Sequence, residues 1–189
     1  MHLKTALATL LGIFTAFCIY GLSSGTKVSR TPIFTADGKL RLPSDYREWM
    51  YVSTGLGMSY RDSSADHEPS FDNVFVQRDA YREFTRTREW PTGTMFVLEV
   101  RRSSDHGSIL KAGRFQTDVV SIEASVKDGR RFANKWAYFD FGPAAKEAAA
   151  LPEGQCFSCH RQNAAIDNTF IQFYPALLDR IKAPDALPR

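Results

Sequence analysis

Thr94-Met95-Phe96-Val97-Leu98-Glu99-Val100-Arg101 is the most strand-like stretch of the sequence, and it follows the turn Pro91-Thr92-Gly93. Successive side chains of a strand point to opposite faces, so the even-numbered residues of this stretch share one face and the odd-numbered residues the other. Each face carries large apolar side chains of the kind that strands prefer. We therefore predict a sheet strand here, and its two faces provide a frame for placing the neighbouring elements.

The segments around this strand predict a mixed fold in which sheet predominates. Asp128-Gly129 is a hairpin-type turn between two of the further strands, and Glu123 points away from the apolar face that its neighbours share. Further strands are predicted at residues 73–77, 114–120, 122–126 and 136–141. Short helices are predicted at residues 46–51, 78–90, 144–150 and 164–181, the last bent near Pro175. The pattern indicates an α+β fold, mainly an antiparallel β-sheet with flanking short helices.

Cys156-Phe157-Ser158-Cys159-His160 has the Cys-x-x-Cys-His spacing at which a c-type haem is attached. Two thiols three positions apart can each form a thioether with one of the two vinyl groups of one haem. The adjacent His160 then reaches the iron with a neutral imidazole nitrogen. The motif predicts one covalent haem c per chain, held by Cys156 and Cys159, with His160 as the axial iron ligand.

Two other kinds of site use paired cysteines, and the rest of the sequence disfavours both. A closed structural zinc site needs four ligands, yet no second Cys-x-x-Cys occurs and the other histidines, His2, His67 and His106, are scattered. A thioredoxin-like redox pair is expected within a strand–helix–strand context, whereas this motif lies near the end of the chain. Haem attachment is the prediction that remains.

The residues after the motif bear on the second axial position of the iron. Residues 161–189 contain neither methionine nor histidine, so a sixth ligand would have to come from Met58, His67, Met95 or His106. None of these four has a ligand-like sequence context, and methionines commonly fill cores. We therefore predict a five-coordinate iron with an open face, which suits binding or conversion of a small molecule better than electron transfer alone.

Composition and the N-terminal sequence bound the organisation and location of the protein. The 24 Lys and Arg are balanced by 21 interleaved Asp and Glu, which gives no basis for a nucleic-acid surface. Residues 1–25 have a basic start and an apolar run like a secretory leader, and an uncleaved membrane anchor is the alternative. Cleavage would remove Cys18 and leave only the two motif cysteines. We predict a linker at residues 26–33, one haem domain at 34–182, a tail at 183–189 and a bacterial periplasmic location.

Five groups of residues together match one known family. They are Leu42-Pro43 with Tyr46-Arg47-Glu48-Trp49; Gly93-Thr94 with Val97-Leu98-Glu99; Ile122-Glu123-Ala124-Ser125-Val126-Lys127-Asp128 with Arg131-Phe132-Ala133; Asn163-Ala164-Ala165; and Gln172-Phe173-Tyr174-Pro175. With these motifs the chain resembles cytochrome P-460 and its relative cytochrome c′-beta over most of residues 34–180. The resemblance implies a mostly antiparallel sheet with flanking helices, one c-type haem on His160 and a homodimer.

The resemblance also implies roles for three pocket residues. In the P-460 enzymes, which oxidise hydroxylamine, a lysine on the strand after Gly-Thr cross-links to the haem, and Leu98 occupies that position here. An apolar residue over the iron is closer to cytochrome c′-beta, which binds nitric oxide beneath an apolar cap. Phe71 roughly matches a distal aromatic residue of the family. Glu123 matches a carboxylate near the distal pocket and is a candidate proton acceptor, the alternative being a solvated or salt-bridged side chain on a polar strand face.

Three hypotheses about function are therefore open. The first is an exported haem protein that binds nitric oxide under Leu98 and Phe71. The second is an oxidoreductase that acts on hydroxylamine, or by a peroxidase-like reaction, with Glu123 as the distal base. The third, an electron carrier, is disfavoured because no sixth ligand is evident, although a small electron-transfer protein is an expected partner.

Overall fold

The structure, a computed structural model, describes residues 31–59 and 68–182 of the 189-residue chain. The predicted leader, most of the predicted linker, the predicted tail, and also His67, lie outside the described residues. The described strands are β1 (Leu40–Arg41), β2 (Met50–Leu56), β3 (Phe71–Val76), β4 (Met95–Ser104), β5 (Phe115–Lys127), β6 (Trp136–Asp140) and β7 (Glu147–Ala148). The described helices are α1 (Arg78–Thr87), α2 (Phe157–Asn163) and α3 (Pro175–Lys182), with 3-10 turns at Tyr46–Glu48 and Ile171–Phe173. In these two parts of the chain, no helix has the length and apolar character needed to cross a membrane.

Strands β2 to β6 form one antiparallel sheet in the order in which they occur along the chain. Helix α1 connects β3 to β4. Strand β1 pairs with β7 in a separate two-stranded sheet. The architecture confirms the predicted α+β class, in which an antiparallel sheet predominates and short helices flank it.

The pairing register shows which side chains share a face of the large sheet. Val74 lies opposite Leu98, and Leu98 lies opposite Glu123. The adjacent row contains Phe96 and Tyr138, which both pair with the same residue of β5. Directly paired residues point to the same side of a sheet, so all five side chains lie on one face. We call it the site face.

Both faces of the sheet bury apolar side chains. On the site face the helices and the C-terminal segment pack against a core that includes Phe84, Trp90, Phe96, Trp136, Tyr138, Phe157, Phe170, Ile171, Tyr174 and Leu177. On the opposite face the core includes Leu40, Tyr46, Trp49, Met95, Val97, Ile122, Ala124, Val126, Phe139 and Phe141. In the first core the rings of Phe84 and Trp90 stack with centroids 3.8 Å apart, which anchors α1 to the sheet.

The predicted strands and the helix at 78–90 are present, with ends shifted by up to about three residues. The helix predicted at 144–150 is wrong, because this segment forms β7 and pairs with β1. Ala148 lies opposite Leu40 and both are buried, so the packing of this pair outweighs the helix preference of the alanine run.

The helices predicted at 46–51 and 164–181 were only partly right. The first is a 3-10 turn of three residues, after which the chain enters β2 at Met50. In the second, the α-helix begins only at Pro175. The residues before it form a tight turn in which Asp167 and Asn168 have positive φ angles of 45° and 58°. That turn contacts the candidate site.

Candidate functional site

A cavity lies between the site face of the sheet and the segment that carries the Cys-x-x-Cys-His motif. It contains about 880 Å³ of empty space, counting its open mouth. The lining residues are Ser53, Gly55, Met58, Asp72, Val74, Phe96, Leu98, Glu123, Ala124, Ser125, Tyr138, Phe139, Leu151, Cys156, His160, Asn168, Thr169, Phe170, Phe173 and Tyr174.

One wall of the cavity is built by the motif itself. Helix α2 begins immediately after Cys156, so Cys156 and Cys159 are one helical turn apart and near each other on the helix surface. Both are free thiols, half-buried against the core of the site face. Burial raises the pKa of the Cys156 thiol, and the carboxylates of Glu123 and Asp140 raise it further. Cys156 thus lines the cavity, and Cys159 is its neighbour one helical turn away.

His160 follows on the same helix and is oriented by its ring nitrogen Nδ1. This atom lies 2.8 Å from the carbonyl oxygen of Asn168. A carbonyl only accepts hydrogen bonds, so Nδ1 carries the proton and Nε2 keeps a free lone pair. Burial lowers the pKa of His160, which favours the neutral ring, although the Asn168 contact acts in the opposite direction. The ring is held between Tyr138 and Phe170, with centroids 4.4 and 4.5 Å away.

The opposite wall is largely apolar. Leu98 projects from the centre of the sheet between Val74 on one side and Glu123 on the other. Phe96 lies two residues along the same strand, almost fully buried. Leu98 itself is only half-buried, because its side chain faces the cavity rather than another packed element. This placement agrees with the sequence prediction that Leu98 faces the site.

Two carboxyl groups also face the cavity, and only one was anticipated. Burial raises the pKa of Glu123, and the negative charges of Asp140 and Asp72 raise it further. Burial raises the pKa of Asp72 to about 6. Glu123 is therefore not a freely solvated strand residue. Asp72 was missed because the predicted strand began one residue after it, although alternation from Val74 would have placed it on this face.

The structure does not bring Phe71 to the cavity. Side chains alternate along β3, so Asp72 and Val74 face the cavity and Phe71 faces away from it. Its predicted role as part of the distal cap is therefore corrected. The cap position on this strand belongs to Val74, which lies opposite Leu98.

The described candidates for the sixth iron ligand lie in different parts of the molecule. Met95 is fully buried in the core of the opposite face, and the side chain of His106 is 94% exposed in a loop. Met58 lies on the cavity wall. Its Sδ packs against Gly55 and occupies the space that a β-carbon at this position would need. His67 is outside the described residues. Among the described candidates, Met58 alone lines the cavity.

Comparison with known protein families gives one match: the family described as Cytochrome P460 matches residues 43–171. The chain belongs to the cytochrome P460 family. None of the curated proteins compared with the chain matches it. The match covers the whole large sheet, the motif and most of the cavity lining, and it confirms the family resemblance inferred from the sequence.

Haem is the cofactor implied for a cytochrome P460, and the cavity fits such a group. The hydroxyl of Tyr138 is buried, lines the cavity and has no hydrogen-bond partner among the described residues. A buried polar atom without a partner is costly, and an occupant of the cavity could satisfy it. His160 supplies a neutral imidazole, Cys156 and Cys159 supply thiols, and the remaining wall is mainly aromatic and aliphatic. Within the described parts of the chain, no cluster of histidine, cysteine and carboxylate residues offers an alternative metal site.

Proposed function

We propose that this cytochrome P460 carries one haem c per chain and binds a small, neutral nitrogen-oxide ligand such as nitric oxide. Cys156 and Cys159 would hold the haem through thioethers, and His160 would bind the iron. The observation that carries the proposal is the position of Leu98, which lies opposite Val74 in the sheet and lines the same cavity as His160. The ligand would occupy the iron face that His160 leaves open.

The wall selects ligands by their charge and hydration. When bound, haem supplies an iron centre that coordinates diatomic molecules. Leu98 and Val74 offer no hydrogen bond, so an anion or a strongly hydrated molecule would lose its solvation there without replacement. The carboxyl groups of Asp72 and Glu123 add negative charge to the same wall and so disfavour anions further. A neutral diatomic ligand avoids both penalties.

The position of Leu98 also argues against the cross-linked chemistry of the P-460 enzymes. Leucine has no amine, so it cannot form the lysine–haem bond that the family resemblance places at this position. Ligand binding beneath an apolar cap, as in the resemblance to cytochrome c′-beta, needs no such bond. The proposed five-coordinate state remains open to test because Met58 lies on the cavity wall.

A second candidate function rests on Glu123. Its carboxyl is half-buried in the cavity, and burial raises its pKa, which makes the carboxylate a stronger proton acceptor. In that case the protein would be an oxidoreductase that acts on hydroxylamine, or a peroxidase-like enzyme, with Glu123 as base. Asp72, on the same wall, also has a raised pKa and would be a second proton acceptor.

The two functions can be separated with the purified haem protein. We expect a normal high-spin c-type spectrum in the ferrous state, nitric oxide binding to ferrous iron, weak cyanide binding to ferric iron and negligible hydroxylamine oxidation. A low-spin spectrum that Met58→Ala converts to high-spin would replace the five-coordinate assignment by methionine ligation.

The enzyme hypothesis makes the opposite predictions. A strongly red-shifted Soret band and rapid hydroxylamine turnover, abolished in Glu123→Gln, would overturn the binding proposal in its favour. Glu147→Gln is the matched control, because Glu147 is an exposed carboxylate on β7 that pairs with Arg41. Loss of turnover in both variants would indicate a general effect of charge instead.

Export to the periplasm, assembly as a homodimer and electron exchange with a small partner protein belong to the same proposal. Their support is the leader-like N-terminal sequence, the use of a haem-attachment motif and the family resemblance. Fractionation of expressing cells and the mass of the purified protein in solution are the direct measurements.

A further inference from the structure

The carbonyl group that orients His160 belongs to an unusual turn. Asp167 and Asn168 are consecutive residues with positive φ, a conformation that is uncommon outside glycine and that Asp and Asn adopt more readily than most. The turn is closed by a hydrogen bond from the backbone N–H of Thr169 to the carbonyl of Ile166, 2.8 Å long. It aims the Asn168 carbonyl at Nδ1 of His160.

The side chain of Asp167 ties this turn to the sheet. Its Oδ1 accepts a hydrogen bond from Nε1 of Trp136 at 3.0 Å, and its Oδ2 accepts one from Nζ of Lys127 at 2.6 Å. Lys127 also donates to the carbonyl oxygen of Trp90 at 2.7 Å. The side chains of Lys127 and Asp167 are only 17% and 29% exposed, so this ion pair is less screened by solvent than a surface pair.

We infer that Lys127 and Asp167 are positioning residues for the axial histidine. The hydrogen bonds from Lys127 and Trp136 to Asp167 hold the turn in its left-handed conformation. This turn then fixes the hydrogen bond between His160 and Asn168. The inference rests on the proposed role of His160 as the iron ligand. Nothing in the motif Cys-x-x-Cys-His itself specifies this support, which comes from the ends of β5 and β6.

The expected consequence is control of the electron density on the ligand. A hydrogen bond from the non-ligating nitrogen to an acceptor makes an imidazole a stronger donor to its metal. Stronger donation stabilises ferric iron relative to ferrous iron. Loosening the turn should therefore weaken the hydrogen bond at Nδ1, raise the midpoint potential and lower the iron–histidine stretching frequency.

A purely electrostatic role for the same residues predicts a different pattern. Removing the positive charge of Lys127 would favour ferric iron and lower the potential, whereas removing the negative charge of Asp167 would raise it. Positioning predicts that both changes raise the potential. The direction of the shift in Lys127→Met therefore distinguishes the two roles.

The experiment measures the midpoint potential and the ferrous iron–histidine vibration of the haem protein in Lys127→Met, Asp167→Asn and Trp136→Phe. The last variant removes one hydrogen bond to Asp167 without changing any charge. We expect the potential to rise and the vibration to fall in all three. Lys127→Arg, which keeps the charge and the donors, should stay close to wild type. Lys39→Met is the matched control, because it breaks an exposed pair with Asp37.

A lower potential in Lys127→Met together with a higher one in Asp167→Asn would overturn the inference, as would unchanged vibrations in all three variants. If Lys127→Met does not fold, the charge-neutral Trp136→Phe decides the question. Failure of the proposed function has a different signature, because an iron–histidine vibration that is absent from both the wild type and Met58→Ala would remove His160 as the ligand.

Discussion

Leu98 stands directly opposite Glu123 across strands β4 and β5, and both side chains face the cavity that His160 also lines. An apolar residue and a half-buried carboxyl group therefore occupy one row of the sheet. In the proposed function the apolar residue would limit which ligands enter the cavity, and in the alternative the carboxyl group would accept a proton. The two can be tested separately because each can be changed without altering the pairing of the strands.

Truncation of Leu98 should open the cavity. In Leu98→Ala we expect faster association of nitric oxide or carbon monoxide with the ferrous protein, and a loss of stability of about 1–3 kcal/mol for a partly buried leucine. Stopped-flow or flash-photolysis rates provide the measurement. Leu110→Ala, in an exposed loop, is the control and should behave like wild type. An association rate unchanged by Leu98→Ala would mean that this side chain does not limit access.

The buried carboxyl of Asp72 should make the protein less stable as pH rises. Its pKa is raised by burial from 3.8 to about 6, so the folded state binds more protons than the unfolded state between these values. The protonated carboxyl contributes its full stability to the fold below pH about 4. That contribution is lost as pH rises through about 6.

Asp72→Asn should remove this dependence and be more stable than wild type by roughly 1–2 kcal/mol at neutral pH, allowing for solvent screening. Denaturant titrations of the haem protein on either side of this pH window measure it. Asp79→Asn, exposed on α1, should leave the pH profile unchanged. Parallel profiles for wild type and Asp72→Asn would contradict the assignment.

Glu99 should be essential for stability but not for ligand binding. It is 3% exposed on the sheet face opposite the cavity, and it accepts hydrogen bonds from Tyr46, Arg47 and Arg101. Burial alone would raise the pKa of Glu99, yet these bonds and the charge of Arg101 lower it overall. The ionised carboxylate thus contributes stability at neutral pH that is lost as the solution becomes acidic.

In Glu99→Ala the two arginines lose their common partner, and we expect a cost of about 3–5 kcal/mol. Glu83→Ala, which breaks an exposed pair with Arg86, should cost about 1 kcal/mol or less. The measurements are unfolding free energies and the nitric oxide affinity, which should not change in the folded Glu99 variant. A similar stability loss in both variants would show that burial of the Glu99 network is not decisive.

Gly55 should determine where Met58 lies. A β-carbon at Gly55 would come 2.2 Å from Sδ and 2.7 Å from Cγ of Met58, so Gly55→Ala must displace that side chain. We expect altered ligand association rates, and a change in spin state if the Met58 sulfur binds the iron. Gly129→Ala meets only an ordinary contact at 3.5 Å and is the control. If Gly55→Ala leaves both rates and spectrum unchanged, Met58 has no part in the site.

The sequence was sufficient to predict four of the five strands of the large sheet, β3 to β6, and part of the cavity. Alternation along residues 94–101 placed Leu98 on the site face, and alternation along 122–126 placed Glu123 opposite the apolar residues of its strand. These are local properties, and the register of neighbouring strands preserves them. The motif was readable because the two vinyl groups of a c-type haem dictate this spacing of cysteines.

What could not be predicted depends on contacts distant in sequence. The alanine run at 144–150 favours a helix locally, and only its partner β1, about a hundred residues earlier, makes it a strand. Phe71 was assigned to the cap from the family resemblance alone, and alternation along β3 turns it away from the cavity. The Asn168 carbonyl that orients His160 is a backbone atom, and no residue type marks it in a sequence.

Every strand of the large sheet precedes Cys156 in the chain, so the two walls of the cavity are made in sequence during synthesis. The sheet wall is complete while α2 and α3 are still to be made, and until they pack, Phe96 and Tyr138 face solvent. Under the proposed haem attachment, the stage at which the motif would be most accessible to an attachment enzyme would also be the stage at which the apolar face is most prone to aggregation. Haem attachment and packing of the C-terminal segment would then bury the motif and the apolar face of the sheet together.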